Sequence, residues 1–246
     1  MAEERKKLIH RIIIIAVIIL IPVIISILIV KYQVEGEQNM PFELTKITVV
    51  SNAEGREKKE DGYRWAMDLI QNNDVYLTIE KNKDYQDTEL IDKITLENFQ
   101  LETAPKIGKM QLYRPSADKD HLYEYKEEYY VQDNKLEYVG DTETNVKNLE
   151  ISNQGGMILF RYANQEVGEL LSNENEIAHD GKMLKQAEIP YEDLKGTLAF
   201  DIIIATKSKV QYKATIRIEI PAGNILEEGR SYLEKTDSSD IVFKRI

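Results

Sequence analysis

The chain has 246 residues, no cysteine and a formal net charge of −11 at neutral pH. The absence of cysteine excludes disulfide bonds, thiol catalysis, thiolate metal sites and a lipid attached through a thiol. Five of the 32 Lys and Arg and two of the 43 Asp and Glu lie in residues 1–31, so the remainder carries a charge of −14. Such an acidic surface repels nucleic acid, and we expect no nucleic-acid partner.

Residues 12–31 are predicted to form a transmembrane helix. From Ile12 to Val30 no residue is charged, and 13 of the 19 residues are Ile or Leu. A helix of that length spans about 28 Å, close to the hydrocarbon thickness of a bilayer. The absence of a polar face argues against a core helix of a soluble domain. The alternative is a cleaved signal peptide, for which the apolar run is long and the sequence at 34–36 is a poor cleavage site.

The charged residues beside this helix predict its orientation. Arg5, Lys6, Lys7 and Arg11 precede the apolar run, whereas Lys31 follows it. Because basic residues favour the cytoplasmic side, we expect a single-pass protein of the cell membrane, its N-terminus inside and its C-terminal domain outside. The predicted parts are a short cytoplasmic tail at 1–11, the helix at 12–31, a polar connector at 32–41 and an extracytoplasmic domain at 42–246.

The sequence pattern of residues 42–246 predicts a succession of short strands. Residues 42–50 predict a first strand, and residues 51–62 a charged loop. Alternating apolar residues on both sides of the Gln-Asn-Asn-Asp run at 71–74 predict a hairpin with its turn there. Further strand pairs are predicted from 91–102 with 106–115, within 121–139 around a turn at 133–134, and within 149–171 around a turn at 153–156.

The strongest strand pattern comes late in the chain. Leu198, Phe200, Ile202 and Ile204 share one face, and after a turn at 207–208 every second residue from Tyr212 to Ile220 is apolar or small. Strict alternation indicates one buried and one solvated side. We therefore predict an all-β fold, a β-sandwich, either single or split into two near residues 140–147. A short helix within 224–235 and a closing strand at 240–246 complete the prediction.

The sequence contains no recognisable catalytic motif. It has no phosphate-binding glycine loop of either common type, no Gly-x-Ser-x-Gly elbow and no His-Glu-x-x-His. We accordingly expect no enzyme activity, no cofactor and no catalytic residue. A hydrolase that uses two of the many carboxylates is an alternative hypothesis, because their separation across a cleft cannot be read from sequence.

Candidate metal ligands are sparse, and we expect no metal site. His179 precedes the turn dipeptide Asp180-Gly181, and His121 follows Asp118 and Asp120, so both are interpreted as exposed turn residues. The segment 141–145 begins like a calcium-binding loop. Val146 and Ser152, however, stand where that loop requires glycine and a bidentate glutamate.

Tyrosines are concentrated in one stretch, and they are the predicted binding residues: Tyr113, Tyr123, Tyr125, Tyr129 and Tyr130. Tyrosine supplies contact area for a protein partner and a ring on which sugars stack. These residues predict contact with another envelope protein or with a wall polymer, Tyr123 and Tyr125 sharing one strand face. The alternative is that they are half-buried sheet residues, because tyrosine favours strands.

Four stretches carry a resemblance to known proteins: "YQVEGEQNMPFELTKITVVSNAEG", "DLIQNND", "NLEISNQGG" and "SSDIVFKRI". In these the chain is similar to an uncharacterised family of N-terminally anchored, β-rich surface proteins of low-GC Gram-positive bacteria. The stretches are not mechanistic motifs. The resemblance implies a bacterial cell-surface location, and it implies no activity, ligand or catalytic residue.

Overall fold

A computed structural model describes residues 2–38, 40–118 and 121–246, and it begins with a long helix, α1 (Ala2–Gln38). Its segment Ile9–Val30 has a mean hydropathy of 3.6, and none of it is buried against the rest of the protein. The prediction of a helix long and apolar enough to cross a membrane is therefore confirmed. The helix also continues through residues 32–38 of the predicted connector, whereas Met1 of the predicted tail and Asn39 lie outside the described residues.

The rest of the described chain is mainly strand. The strands are β1 (Phe42–Glu57), β2 (Trp65–Lys81), β3 (Ile91–Thr103), β4 (Lys109–Tyr113), β5 (Lys135–Asp141), β6 (Glu150–Ser152), β7 (Gly156–Ser172), β8 (Gly196–Thr206), β9 (Gln211–Ile220), β10 (Ser231–Lys235) and β11 (Lys244–Arg245). Three short helices, α2 (Lys182–Gln186), α3 (Tyr191–Leu194) and α4 (Ile225–Glu228), lie among the later strands. The predicted β-rich character is thereby confirmed.

The strands form two sheets. One has five strands in the order β10-β1-β2-β7-β4, and the other has six in the order β11-β9-β8-β3-β5-β6. Neighbouring strands are antiparallel except for β5 and β6. Each sheet combines strands from before and after residues 140–147, so the pairing does not divide the chain at that point.

The main hydrophobic core takes side chains from both sheets. Three phenylalanine rings show the connection: Phe160 of β7 lies 5.1 Å from Phe99 of β3 and 5.2 Å from Phe200 of β8, measured between ring centroids. In β9 every second residue from Tyr212 to Ile220 is buried, as its alternation predicts. A second apolar cluster lies where α2 and α4 pack beside one end of the five-stranded sheet.

The turn predicted at residues 71–74 is wrong. Strand β2 runs unbroken between β1 and β7, and these four polar residues are buried within it. Asn73, for example, accepts a hydrogen bond from Ser51 Oγ at 2.8 Å and donates one to the Tyr162 carbonyl at 3.0 Å. The strands on either side supply partners that the local sequence cannot show.

Several predicted connections also differ from the structure. Strand β1 extends to Glu57, through half of the loop predicted at 51–62. Strands β3 and β4 lie in different sheets, and within 121–139 only β5 is a strand, which pairs with β3. The turn at 153–156 leads from one sheet to the other. The hairpin of β8 and β9 is confirmed, and residues 224–235 contain α4 followed by β10.

Candidate functional site

The outer face of the five-stranded sheet, turned away from the main core, is covered by an irregular segment. Residues 114–118 and 121–134, here called the roof segment, contain one 3-10 turn and no extended strand. The Arg114 amide donates to the Tyr129 carbonyl at 3.0 Å, and the Val131 amide donates to the Leu112 carbonyl at 2.9 Å. These bonds fasten the ends of the roof segment to each other and to β4.

Beneath the roof segment lies a buried ion pair between directly opposed residues of β2 and β7, Asp74 and Arg161. Arg161 Nε donates to Asp74 Oδ1 at 2.6 Å, and Nη2 donates to Oδ2 at 3.0 Å. Nη1 donates to Glu54 Oε1 at 3.1 Å and to the Tyr125 hydroxyl at 2.9 Å. The guanidinium carbon lies 4.5 Å from the ring centroid of Tyr123, a cation–π distance. Only 7% of Arg161 and 9% of Asp74 is exposed.

Burial governs the protonation of this cluster. It raises the pKa of the Asp74 carboxyl, an effect partly offset by the hydrogen bonds from Arg161. Burial disfavours the charged guanidinium too, but the bonds and charge of Asp74 outweigh it and raise the pKa of Arg161. Burial also raises the pKa of the Tyr123 and Tyr125 hydroxyls. With its three nitrogens engaged, Arg161 acts as a clamp between sheet and roof segment.

The five predicted binding tyrosines fall into two groups. Tyr113 and Tyr123 are buried, and Tyr125 is half-buried with its hydroxyl donating to Asn72 Oδ1 at 2.6 Å. The prediction that Tyr123 and Tyr125 share a strand face is wrong, because the roof segment is not a strand where they lie. Their rings cover the ion pair from the roof segment, so neither residue is the half-buried sheet residue of the alternative.

In the second group, Tyr129 is half-buried and Tyr130 lies at the surface. The guanidinium carbon of Arg114 is 5.4 Å from the Tyr129 ring centroid, and the Tyr130 ring is exposed. Tyr130 borders a groove of about 520 Å³. Its other lining residues are Arg114, Val131, Gln132, Asp133, Lys135, Leu136, Glu137 and Leu149. An aromatic ring, two basic and two acidic side chains, and apolar residues therefore meet in one groove.

Sequence reasoning missed the ion pair itself. Arg161 interrupts an apolar run in β7, and a charge inside such a strand requires a buried partner, which was a readable signal. Its partner Asp74 lies 87 positions earlier, in the run taken for a turn. The pairing depends on the register of β2 against β7, which the sequence does not display.

The remaining candidate ligands are dispersed. His121 is exposed, and Asp120 lies outside the described residues. His179 is exposed and makes an edge-to-face contact with the Trp65 ring at 5.8 Å between centroids. In segment 141–145, the Thr144 hydroxyl accepts a hydrogen bond from the Ser152 amide at 2.9 Å. No group of three His, Asp or Glu that could hold a metal ion occurs within the described ranges.

Comparisons with protein-family models, with curated proteins and with solved structures found no match to this chain.

Proposed function

We propose that the protein is a single-pass membrane protein whose β-rich domain, a single sandwich, is a non-catalytic binding or structural module outside the cytoplasm. The observation that carries the proposal is that no residue of the apolar helix segment Ile9–Val30 is buried against the domain. Its 22 residues extend about 33 Å as a helix, which matches the hydrocarbon core of a bilayer. Burial in lipid removes this apolar surface from water, and the domain itself leaves it uncovered.

The construction of the domain supports a rigid module. The Arg161 clamp, with bonds to Asp74, Glu54 and Tyr125, fastens the roof segment to the sheet. Tethering such a module to a membrane raises its local concentration, so that a weak contact with another envelope protein becomes effective. The basic residues Arg5, Lys6 and Lys7 precede the apolar segment Ile9–Val30, which favours an outside location of the domain by the positive-inside rule, and the resemblance to Gram-positive surface proteins points the same way.

Single cysteines test the topology directly, because the natural chain has none. Tyr232 is three-quarters exposed on β10, so Tyr232→Cys reports on the domain, and Ala2→Cys reports on the N-terminus. A membrane-impermeant maleimide should label Tyr232→Cys on intact cells and Ala2→Cys only after permeabilisation. Labelling of Ala2→Cys on intact cells would reverse the orientation. A mature chain that begins near Glu37, seen by mass spectrometry, would identify a cleaved signal peptide and remove the anchor.

The partner is sought by crosslinking in cells at native expression, followed by mass spectrometry. A specific protein adduct on the β-rich domain supports the module as a protein-binding one. If the crosslinker yields no specific adduct, the protein-partner role is contradicted.

A second candidate function, binding of a carbohydrate or wall polymer, is favoured by the groove beside Tyr130. The exposed ring offers a stacking face for a sugar. The groove also holds two basic and two acidic side chains, and Lys135 Nζ lies 2.8 Å from Glu137 Oε1, so the ring rather than the charge favours this role. We expect Tyr130→Ala to lower retention on purified cell wall without lowering thermal stability. Tyr63→Ala, which removes another exposed tyrosine, is the matched control. Equal retention of both variants on purified cell wall would exclude the groove as the polymer-binding site.

A further inference from the structure

One edge of the five-stranded sheet is open. The sheet ends at β10, which pairs with β1 on one side. Within the described chain, no strand and no backbone hydrogen bond joins the other side of β10. The opposite edge, β4, is covered, because Tyr130 of the roof segment bridges to Tyr113 and the Val131 amide donates to the Leu112 carbonyl. An open edge of a sheet is a template for a further strand.

The six-stranded sheet ends in shorter strands. Strand β11 has two residues, and β6 has three, of which Glu150 is bridged by Asn145. Strand β10 has five residues. Proteins commonly protect the edges of their sheets by shortening or covering them. Among the strands that end the two sheets of the described chain, β10 is therefore the longest that keeps an open side.

Three residues at this edge share one face of the sheet. Tyr232 is opposite Val50, which is itself opposite Asp74 under the roof segment. Opposed residues point to the same face, and so do residues two apart along a strand. Tyr232 and Glu234, with Arg230 just before the strand, therefore face the roof side, and the positive charge of Arg230 acts on Asp74 in agreement with this placement. Tyr232 is 75% exposed, so the domain leaves its ring largely uncovered.

The charges of this row complement those of a second copy. If two such strands meet antiparallel with Tyr232 opposite Tyr232, each Arg230 lies opposite Glu234 of the other copy. Two pairs of unlike charge then flank the tyrosines, and cross-strand pairs of this kind stabilise antiparallel sheets. Arg230 is exposed, and Glu234 Oε2 lies 3.6 Å from Lys46 Nζ in a pair that is itself exposed to solvent. Both charged groups of the row are therefore accessible to a second copy.

From this complementarity we infer that β10 pairs antiparallel with β10 of a second copy of the chain, about a two-fold axis at Tyr232. The pairing would join two five-stranded sheets into one continuous sheet. The axis is perpendicular to the sheet, so the roof segments of both copies lie on the same side. Each copy uses the same surface, which closes the assembly at two copies. The inference does not require the anchor, and its failure would leave the proposed membrane location standing.

Disulfide formation tests the pairing with the full chain in detergent micelles, because the natural chain has no cysteine. Directly opposed residues of an antiparallel pair have Cα atoms about 4.5–5.5 Å apart, within the range of a disulfide. Tyr232→Cys should therefore form a covalent dimer under mild oxidation. The matched control is Tyr63→Cys, another exposed tyrosine, which should form far less dimer. Sedimentation of the natural chain in the same detergent should give the mass of two copies, with Tyr232 in place.

Charge reversal tests the register. With Tyr232→Cys present, Arg230→Glu puts like charges opposite each other and should slow dimer formation by about tenfold. Adding Glu234→Arg restores pairs of unlike charge and should recover the rate. Unchanged Trp65 fluorescence in each variant verifies the fold.

Three results would overturn the inference in micelles: Tyr232→Cys forms dimer no faster than Tyr63→Cys, the double charge reversal fails to recover the rate, or the natural chain sediments as a monomer. In cells, a disulfide adduct of Tyr232→Cys with a different protein would give the edge another occupant and would also overturn it.

Discussion

Replacement of Arg161 by methionine tests the buried ion pair. The variant keeps an apolar side chain of similar length but removes the bonds to Asp74, Glu54 and Tyr125. Because Asp74 stays buried without its cation, the expected loss is about 3–5 kcal/mol of unfolding free energy. For a chain of this size, that loss lowers the melting temperature by about 6–20 °C.

Thermal unfolding of the full chain in detergent micelles measures the effect, followed by circular dichroism and by the fluorescence of the single tryptophan, Trp65. The matched control is Arg217→Met. Arg217 Nε lies 2.6 Å from Glu102 Oε1, but the Arg217 side chain is 60% exposed. An exposed pair contributes about 0–1 kcal/mol, so this variant should melt close to the wild type.

The double variant Arg161→Met with Asp74→Asn separates the loss of the ion-pair interaction from the cost of leaving an unpaired carboxylate buried. Removing the buried carboxylate should recover part of the lost stability. Burial already raises the pKa of Asp74, so its folded-state pKa lies above the unfolded value, and stability is lost as pH rises through the folded pKa. Without Arg161, the loss should therefore be larger at about pH 8 than at about pH 5. If the melting temperature of Arg161→Met equals that of Arg217→Met at both pH values, the clamp contributes nothing to stability and the expected loss is refuted.

Three further changes address the rest of the domain. Tyr138→Phe removes a 2.6 Å hydrogen bond to the Leu159 carbonyl in the core, and urea unfolding should show a loss of about 1–3 kcal/mol; an unchanged midpoint would contradict this. Gly140→Ala places a Cβ atom against the carbonyl oxygen of Ile91, so the amount of folded protein obtained should fall. A normal amount with normal stability would mean that the backbone shifts to accommodate the methyl group. Burial opposes ionisation of Asp201, but hydrogen bonds from its neighbours outweigh it and lower its pKa. The stabilising effect of Asp201 is present above its unfolded-state pKa and is lost as pH falls through its folded-state pKa. Asp201→Asn should therefore make the unfolding free energy depend less steeply on pH below about pH 4. A dependence as steep as that of the wild type would exclude this role.

The candidate site shows the limit of sequence reasoning. The predicted tyrosines lie close to the buried ion pair, since Tyr113 is paired with Arg161 across the sheet and the rings of Tyr123 and Tyr125 lie near its guanidinium. The burial of these rings could not be predicted from the sequence, because the roof segment has no periodicity that indicates which ring faces the sheet. Tyr130 has the exposed position that a binding role requires, whereas Tyr129 is half-buried, and the binding role of both stays a prediction.

The sequence by itself determined the features that depend on neighbours along the chain. A long charge-free apolar run without a polar face predicts a helix long enough to cross a membrane, and α1 contains it as the segment Ile9–Val30, none of which is buried. Strict alternation around a short turn likewise determined β8 and β9. Only the tertiary structure decided that residues 71–74 continue β2, because the polar side chains there are stabilised by partners on distant strands. The same reason applies to Asp74 and Arg161, whose meeting follows from strand register and not from any local preference.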